Sequence, residues 1–145
     1  MSPFIAQPLP PVKFLIENLF LVAAAVVSGA MLFWPILNRQ MAGAMVNTMQ
    51  ATRLINDGAV LLDVRESSEF SAGHVNGSRH IPVGEIATRA GELPAGKPVV
   101  VICASGARAS RAASALRKAG RADVHCLEGG LAGWKRAGLP VVTQS

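Results

Sequence analysis

The chain has 145 residues, half of them hydrophobic, a formal net charge of +5 and two cysteines, Cys103 and Cys126. That length accommodates one domain of about a hundred residues that buries a core without metal or disulfide help, plus a non-globular part. With no CxxC, no Cys/His zinc spacing, scattered basic residues and no tyrosine, a disulfide scaffold, a structural metal and a nucleic-acid partner are not expected, although a bond between the two cysteines stays formally open.

Residues 1–18 form a short N-terminal segment. Residues 19–37, LFLVAAAVVSGAMLFWPIL, carry no charge. At about 1.5 Å per residue they just span a hydrocarbon core of about 30 Å. Phe33 and Trp34 suit an interfacial anchor, and Pro35 is expected in the last turn. A cleavable signal peptide has a basic start and a shorter apolar core; here Lys13 is the one basic residue before the run, although AGA at 42–44 could mimic a cleavage site. A buried soluble helix is disfavoured because every face is apolar. The run is read as a single-pass anchor in the inner (cytoplasmic) membrane. Arg39 and Arg53 against Lys13 lean towards a cytoplasmic C-terminal part.

Residues 38–47, NRQMAGAMVN, read as a small-residue linker, and 48–145 as the folded domain. Thr48 can cap a helix over Gln50 to Asn56. AVLLDV, 59–64, is a buried strand. ESSEFSAG gives a short helix stopped by Gly73. Arg79 to Ile81 is a short strand. VGEIATRAGEL, 83–93, is a helix and VVVIC, 99–103, a second buried strand. GARASRAASALRKAG, 106–120, is a helix with Ala109, Ala112, Ala113 and Leu116 on its apolar face. ADVHCLEG is a strand and LAGWKRAG a last helix. Apolar strands alternating with helices indicate a parallel sheet covered on both faces, an α/β domain. Function then gathers at the carboxyl ends of strands, where Asp63 to Glu66, Cys103 to Arg108 and Glu128 to Gly130 fall.

Cys103 stands where a strand passes into a helix. Gly106 and the small residues Ala104, Ser105 and Ala107 leave backbone N–H groups uncovered, and these favour an anion at the loop centre. Arg108 adds a positive charge. The arrangement suits a nucleophilic sulfur; the competing reading is a buried structural cysteine. The phosphate loop of protein tyrosine phosphatases places its arginine six positions after the cysteine; here position 109 is alanine and the arginine comes one step earlier. The shorter loop, CASGAR, resembles the C-x-x-G-x-R active-site loop of the rhodanese family of sulfurtransferases. LLDVRESSEFSAGHVNGSRHIP, 61–82, resembles that family's first signature, with Val75 and Ser78 mild departures. LEGGLAGWKRAGLPV, 127–141, resembles its C-terminal signature. The likeness covers about 48–142. One departure lies by the loop: the family often has Ser after the arginine, where this chain has Ala109.

The resemblance implies a rhodanese-like three-layer fold with a mainly parallel five-stranded sheet. It implies two half-reactions: Cys103 takes a sulfur from a donor such as thiosulfate to form a persulfide, and a thiol or cyanide removes it. The N–H groups of residues 104–108 would hold the persulfide, with Asp63 and Arg65 in supporting roles. It implies no cofactor or metal. A single such domain with a membrane anchor resembles a bacterial subgroup whose domain faces the cytoplasm. Because Arg108 is the loop's one cation, the donor or acceptor is expected to be larger than thiosulfate, a protein persulfide or a low-mass thiol. His74 is expected to cap or pack, His80 and His125 to lie in the sheet or at the surface, Cys126 to be buried and Trp134 to pack the last helix, with Gly130 approaching the site through its backbone. The rival readings are a non-enzymatic membrane-bound docking module and, against the loop length, a phosphatase or arsenate reductase.

Overall fold

The computed structural model describes residues 11–41 and 43–143. Residues 1–10, Ala42 of the AGA stretch and the last two residues lie outside them. The described residues fall into two units, divided at Leu37.

Helix α1 (Pro11–Glu17) is followed by α2 (Leu19–Met41), whose residues up to Leu37 belong to the first unit. The span Leu19–Leu37 is long and apolar enough to cross a membrane, and its large side chains, Phe20, Met31, Leu32 and Trp34 among them, are exposed. Pro35 is not in the last turn: α2 runs on to Met41. Proline removes one N–H from the helical ladder, and the turns on either side keep their own bonds, so the helix continues.

The second unit is built on strand periodicity. Val99 to Ile102 are all buried, so each face of the strand meets a covering layer. Five strands form one sheet, β1 (Ala44–Val46), β2 (Val60–Asp63), β3 (Arg79–His80), β4 (Val99–Ile102) and β5 (Val124–Leu127), in the order β1-β5-β4-β2-β3. Every pairing is parallel, so the expected mainly parallel sheet is wholly so; an antiparallel bridge between His74 and Val142 lies outside it. Leu62, Val99, Val101, Cys103, Val124 and Cys126 share one core with Ile86 and with Ala109, Ala112, Ala113 and Leu116 of helix α6 (Ala107–Lys118). Leu61, Val100, Ile102 and Leu127 share the other with Ala51 of α3 (Thr48–Asn56) and with Leu131 and Trp134 of α7 (Gly130–Arg136). Alternate residues of one strand thus feed opposite cores.

The linker reading of 38–47 gives way at two points. The helix occupies its start, and Ala44–Val46 forms the edge strand, register Met45 to Cys126. Gly43, just before it, has φ +84°, and a Cβ there would lie 3.1 Å from the Ala113 Cβ and 3.2 Å from the Cys126 sulfur. Asn47, not Thr48, caps α3: its side chain accepts the Gln50 N–H at 2.9 Å and the Gln50 side chain accepts the Asn47 N–H at 3.0 Å, a reciprocal capping box. Helix α4 (Ser67–Ala72) ends at Gly73 as expected. The expected helix 83–93 is three short pieces, a 3-10 turn (Val83–Glu85), α5 (Ile86–Arg89) and a second 3-10 turn (Ala90–Glu92).

The order of strands fixes where a site can open. From β2 the chain proceeds outward to β3, and from β4 it proceeds the other way to β5. The loops leaving β2 and β4 therefore diverge, and a crevice opens between them at the carboxyl edge.

Candidate functional site

Both sides of that crevice carry the residues singled out in the sequence. On the β2 side, Asp63 and Arg65 are buried. The Asp63 carboxylate accepts the Arg65 backbone N–H at 3.0 Å, its Nε–H at 3.0 Å and its Nη2–H at 2.7 Å. The same guanidinium donates to the carbonyls of Glu69 at 3.2 Å and Gly73 at 2.7 Å. Two carbonyls towards the end of α4 are thereby tied to the end of β2, and the supporting role expected of the pair is architectural in geometry.

Phe70 of α4 stacks on His74, with ring centroids 3.9 Å apart, and on His80, at 4.5 Å. His74 Nδ1 pairs with the Phe70 carbonyl at 2.9 Å and His80 Nε2 with the Arg65 carbonyl at 2.7 Å. His74 therefore packs, as expected, and His80 has a partner that its sequence context did not disclose. His125 pairs with Asp123 at 2.6 Å on the β5 strand.

On the β4 side, Cys103 is 1% exposed, at the base of the loop. Ser105 and Ala107 are exposed, and Ala104, Gly106 and Arg108 are half-buried. Gly106 has φ +105° and caps α6. Its N–H donates to Cys103 Sγ at 2.8 Å, so the loop turns a backbone donor onto the sulfur. The loop is held from behind by α7: Leu131 N–H donates to the Cys103 carbonyl at 2.7 Å and Ala132 N–H to that of Ala104 at 3.3 Å. This contact requires Gly130. Its φ is +56°, and a Cβ there would stand 2.3 Å from the Cys103 carbonyl oxygen and 2.8 Å from the Ser105 nitrogen, both backbone atoms. The approach of Gly130 expected from sequence is this contact.

Glu69 is the residue the sequence reading left without a role. It faces Arg108 across the crevice in a two-pronged ion pair, Nη1 to Oε2 at 2.7 Å and Nη2 to Oε1 at 2.8 Å. Its Oε2 also accepts the Glu66 N–H at 3.0 Å. The Arg108 hydrogen bonds first, then the Glu66 N–H, hold its carboxyl down at about 2. Glu69 was legible only as the E of the E-F signature; its partner stands 39 positions on.

Cys103 and Cys126 are both buried and are not joined in a disulfide. Cys126 sits opposite Val101 in the β4–β5 register, in the same core as Cys103. Burial first, then the charge on Cys103, pushes its thiol up to about 11, so at neutral pH Cys126 is neutral and enclosed. Trp134 is buried, with its Nε1–H donating to the Pro140 carbonyl at 3.1 Å. Among the described residues no group of three or more His, Cys, Asp or Glu could hold a metal. A cleft of about 820 Å³ runs beside α3, lined by Met49, Thr52, Arg53, Asn56 and Leu139 among others, and includes none of the Cys103 loop.

A doubly covered parallel sheet with a cysteine cradled at the carboxyl end of a central strand defines an α/β domain with a cysteine loop. Comparison with known proteins makes it specific. The Rhodanese-like domain family matches residues 48–137, and the chain belongs to that family. An uncharacterized Bacillus subtilis protein, YqhL, is 42% identical over 76 residues, 52% of this chain and 60% of its own length. The thiosulfate sulfurtransferase GlpE of Pseudomonas aeruginosa is 35% identical over 96 residues, 66% of this chain and 86% of its own. The crystal structure of a rhodanese-related protein from Thermoplasma volcanium superposes with a TM-score of 0.64 at 32% identity, covering 70% of this chain and 99% of that one. The chain thus spans less than two thirds of the Bacillus relative's length.

Gly130→Ala is expected to destabilise the domain by about 3 kcal/mol, because an L residue is strained at this φ and its Cβ overlaps backbone that cannot yield. That is on the order of 15 °C in Tm for a domain of about a hundred residues. Gly84→Ala, with nothing within 4 Å of the new Cβ, should shift the melt by only a few degrees. Thermal melts of the two variants side by side check the contrast.

Proposed function

We propose that this chain is a membrane-anchored sulfurtransferase that carries sulfane sulfur as a persulfide on Cys103. The observation that carries the reading is the Gly106 N–H aimed at Cys103 Sγ at 2.8 Å, in a loop of small side chains beside Arg108. Family membership and the sulfurtransferase relative support it.

The first half-reaction is attack by the Cys103 thiolate on the outer sulfur of a donor. The bond from that sulfur to the donor breaks and its electron pair leaves with the donor, as sulfite from thiosulfate or as a thiolate from an organic persulfide. Cys103 is left as Cys–S–S⁻. In the second, an acceptor thiolate or cyanide attacks the terminal sulfur and the Cys103 thiolate departs. Oriented backbone donors of the 104–108 loop, Gly106 among them, hold the negative sulfur in each state. Asp63 and Arg65 position the opposite wall. No cofactor enters either step. The partners are a small sulfur donor and a thiol acceptor, with a protein persulfide as the larger alternative donor.

The anchor is α2. Its exposed apolar surface over Leu19–Leu37 favours a bilayer, and the fold of the second unit argues against cleavage after Ala44. That cut would remove buried Gly43 and the first residue of β1. A reporter fused after Ser145 that works in only one compartment is expected to be active in the cytoplasm; activity on the other side reverses the topology.

Intact mass of the full chain in detergent micelles, after thiosulfate or a low-mass persulfide, should show a gain of one sulfur atom that cyanide removes. Cys103→Ser should abolish the gain and Cys126→Ser should leave it. No gain with either donor class would favour the docking-module reading. Ala104→Arg adds a second cation to the loop and is expected to raise thiosulfate kcat/KM by about tenfold, the scale of one close charge pair at a partly exposed site; an unchanged value would remove the argument that loop charge limits this donor.

A further inference from the structure

Arg108 is the loop's one cation, yet its charge is not available to a substrate. Both of its terminal nitrogens are engaged by Glu69, at 2.7 and 2.8 Å. A planar guanidinium matched to a carboxylate in this way is the strongest form such a pair takes. The Arg108 and Glu69 side chains are 29% and 35% exposed, so the pair sits on the crevice wall with one side towards solvent. The second guanidinium near the site, Arg65, is matched to Asp63. A further carboxylate, Glu66, is exposed at the start of α4 and acts on Arg108 by charge. Arg65 and Arg108 are thus each matched by a carboxylate, and Glu66 acts on Arg108 in addition, while Glu128 and Arg136 stand beside Gly129 on the α7 side of the loop. The chain as a whole is +5, but the loop's own cation is matched.

We propose that Glu69 selects the sulfur donor by cancelling the Arg108 charge, so that the site takes low-mass persulfides with a neutral or cationic body in preference to dianionic thiosulfate. The proposal rests on the sulfurtransferase reading above and deepens it. The chemistry is unchanged: Cys103–S⁻ attacks the terminal sulfur of R–S–S⁻, the donor's S–S bond breaks, and R–S⁻ leaves with its electron pair. What Glu69 sets is the cost of bringing the charged body of the donor up to the loop. It touches Arg108, not the reacting sulfurs, and is a positioning residue.

The test uses a charge series at constant reactive group. The full chain in detergent micelles is loaded from the persulfides of cysteamine, 2-mercaptoethanol and 3-mercaptopropionate, and separately from thiosulfate, with sulfur gain on Cys103 read by quenched intact mass. The wild-type chain should load fastest from the cationic donor and slowest from the anionic one among the three persulfides. Glu69→Gln should raise kcat/KM for thiosulfate about tenfold and for the 3-mercaptopropionate donor by several-fold, while the neutral donor changes by less than about twofold. The difference between wild type and variant should shrink as ionic strength rises to roughly 0.5 M, a response that loss of packing alone would not produce. Gln keeps an oxygen for the Glu66 N–H. If Glu69→Gln nevertheless melts early, Glu66→Gln removes a nearby charge without touching the ion pair and should move the series in the same direction by a smaller factor. A donor order that is the same in wild type and both variants, while all three still load, overturns the proposal and leaves the sulfurtransferase reading standing. Failure of the wild-type chain to load from any donor overturns both.

Discussion

The site depends on one buried ion pair, Asp63 with Arg65. Asp63 is fully buried and Arg65 is 4% exposed, and charges in that position are tolerated because they are paired and hydrogen-bonded. Asp63 stands at the last position of β2, where its carboxylate accepts three N–H groups of a residue two positions on. Arg65 uses its remaining donors on two carbonyls of α4 and the residue that follows it. A short helix of six residues has little stability of its own, so its place is set by this guanidinium and by the Phe70 ring wedged against two imidazoles. Removing one partner would leave the other charged, buried and unmatched, at a cost of about 3–5 kcal/mol. Glu69 rides on that helix, and Arg108 is held by Glu69. The position of the loop arginine is therefore inherited from an interaction at the end of a neighbouring strand.

The other wall is fixed by backbone alone. Gly130 lets α7 approach until its first N–H groups reach the Cys103 and Ala104 carbonyls, and those bonds turn the loop so that the Gly106 N–H points inward at the sulfur. The two walls use different means. Under the proposed function, a site that accepts a charged sulfur benefits from donors that cost no reorganisation when the charge arrives. Backbone bonds and a buried ion pair both meet that condition, since neither has rotameric freedom to lose.

Much of this was legible in the sequence because it is local. Strands β2, β4 and β5 are apolar runs bounded by turns, and a run buried on both faces needs no partner to be recognised. The Cys103 loop is a contiguous segment with its glycine and arginine at fixed offsets. What escaped was non-local. Ala44–Val46 is three residues long, exposed at two of them, and becomes a strand only because β5 presents an unpaired edge beside it. Pro35, expected in the last turn, lies inside a helix that runs on to Met41. The segment 83–93 keeps a helical spacing of core residues at Ile86, Ala90 and Leu93, but its backbone is divided among two 3-10 turns and α5. The Glu69–Arg108 pair was invisible as a pair: each half belongs to a different signature, and only the crevice between β2 and β4 brings them together.

The same pair settles how the local charge behaves with acidity. Hydrogen bonds from Arg108 hold the Glu69 carboxyl near 2, against 4.5 when unperturbed. A group whose folded value is depressed contributes its stability in full above the unfolded value and loses it as pH falls through the folded one. For Glu69 that window runs from about 4.5 down to about 2, well below neutrality. Arg108, with its own value raised by Glu69, stays protonated throughout. The ion pair is therefore intact at every pH at which a cytoplasmic or periplasmic protein works, and the cancelled charge on the crevice wall is a fixed feature of the fold, not a titrating one. Any preference among donors that follows from it is set by geometry and does not change with pH in the working range, because the carboxylate that makes the pair is carried by α4, and α4 is tied to the end of β2 by the buried Asp63–Arg65 pair.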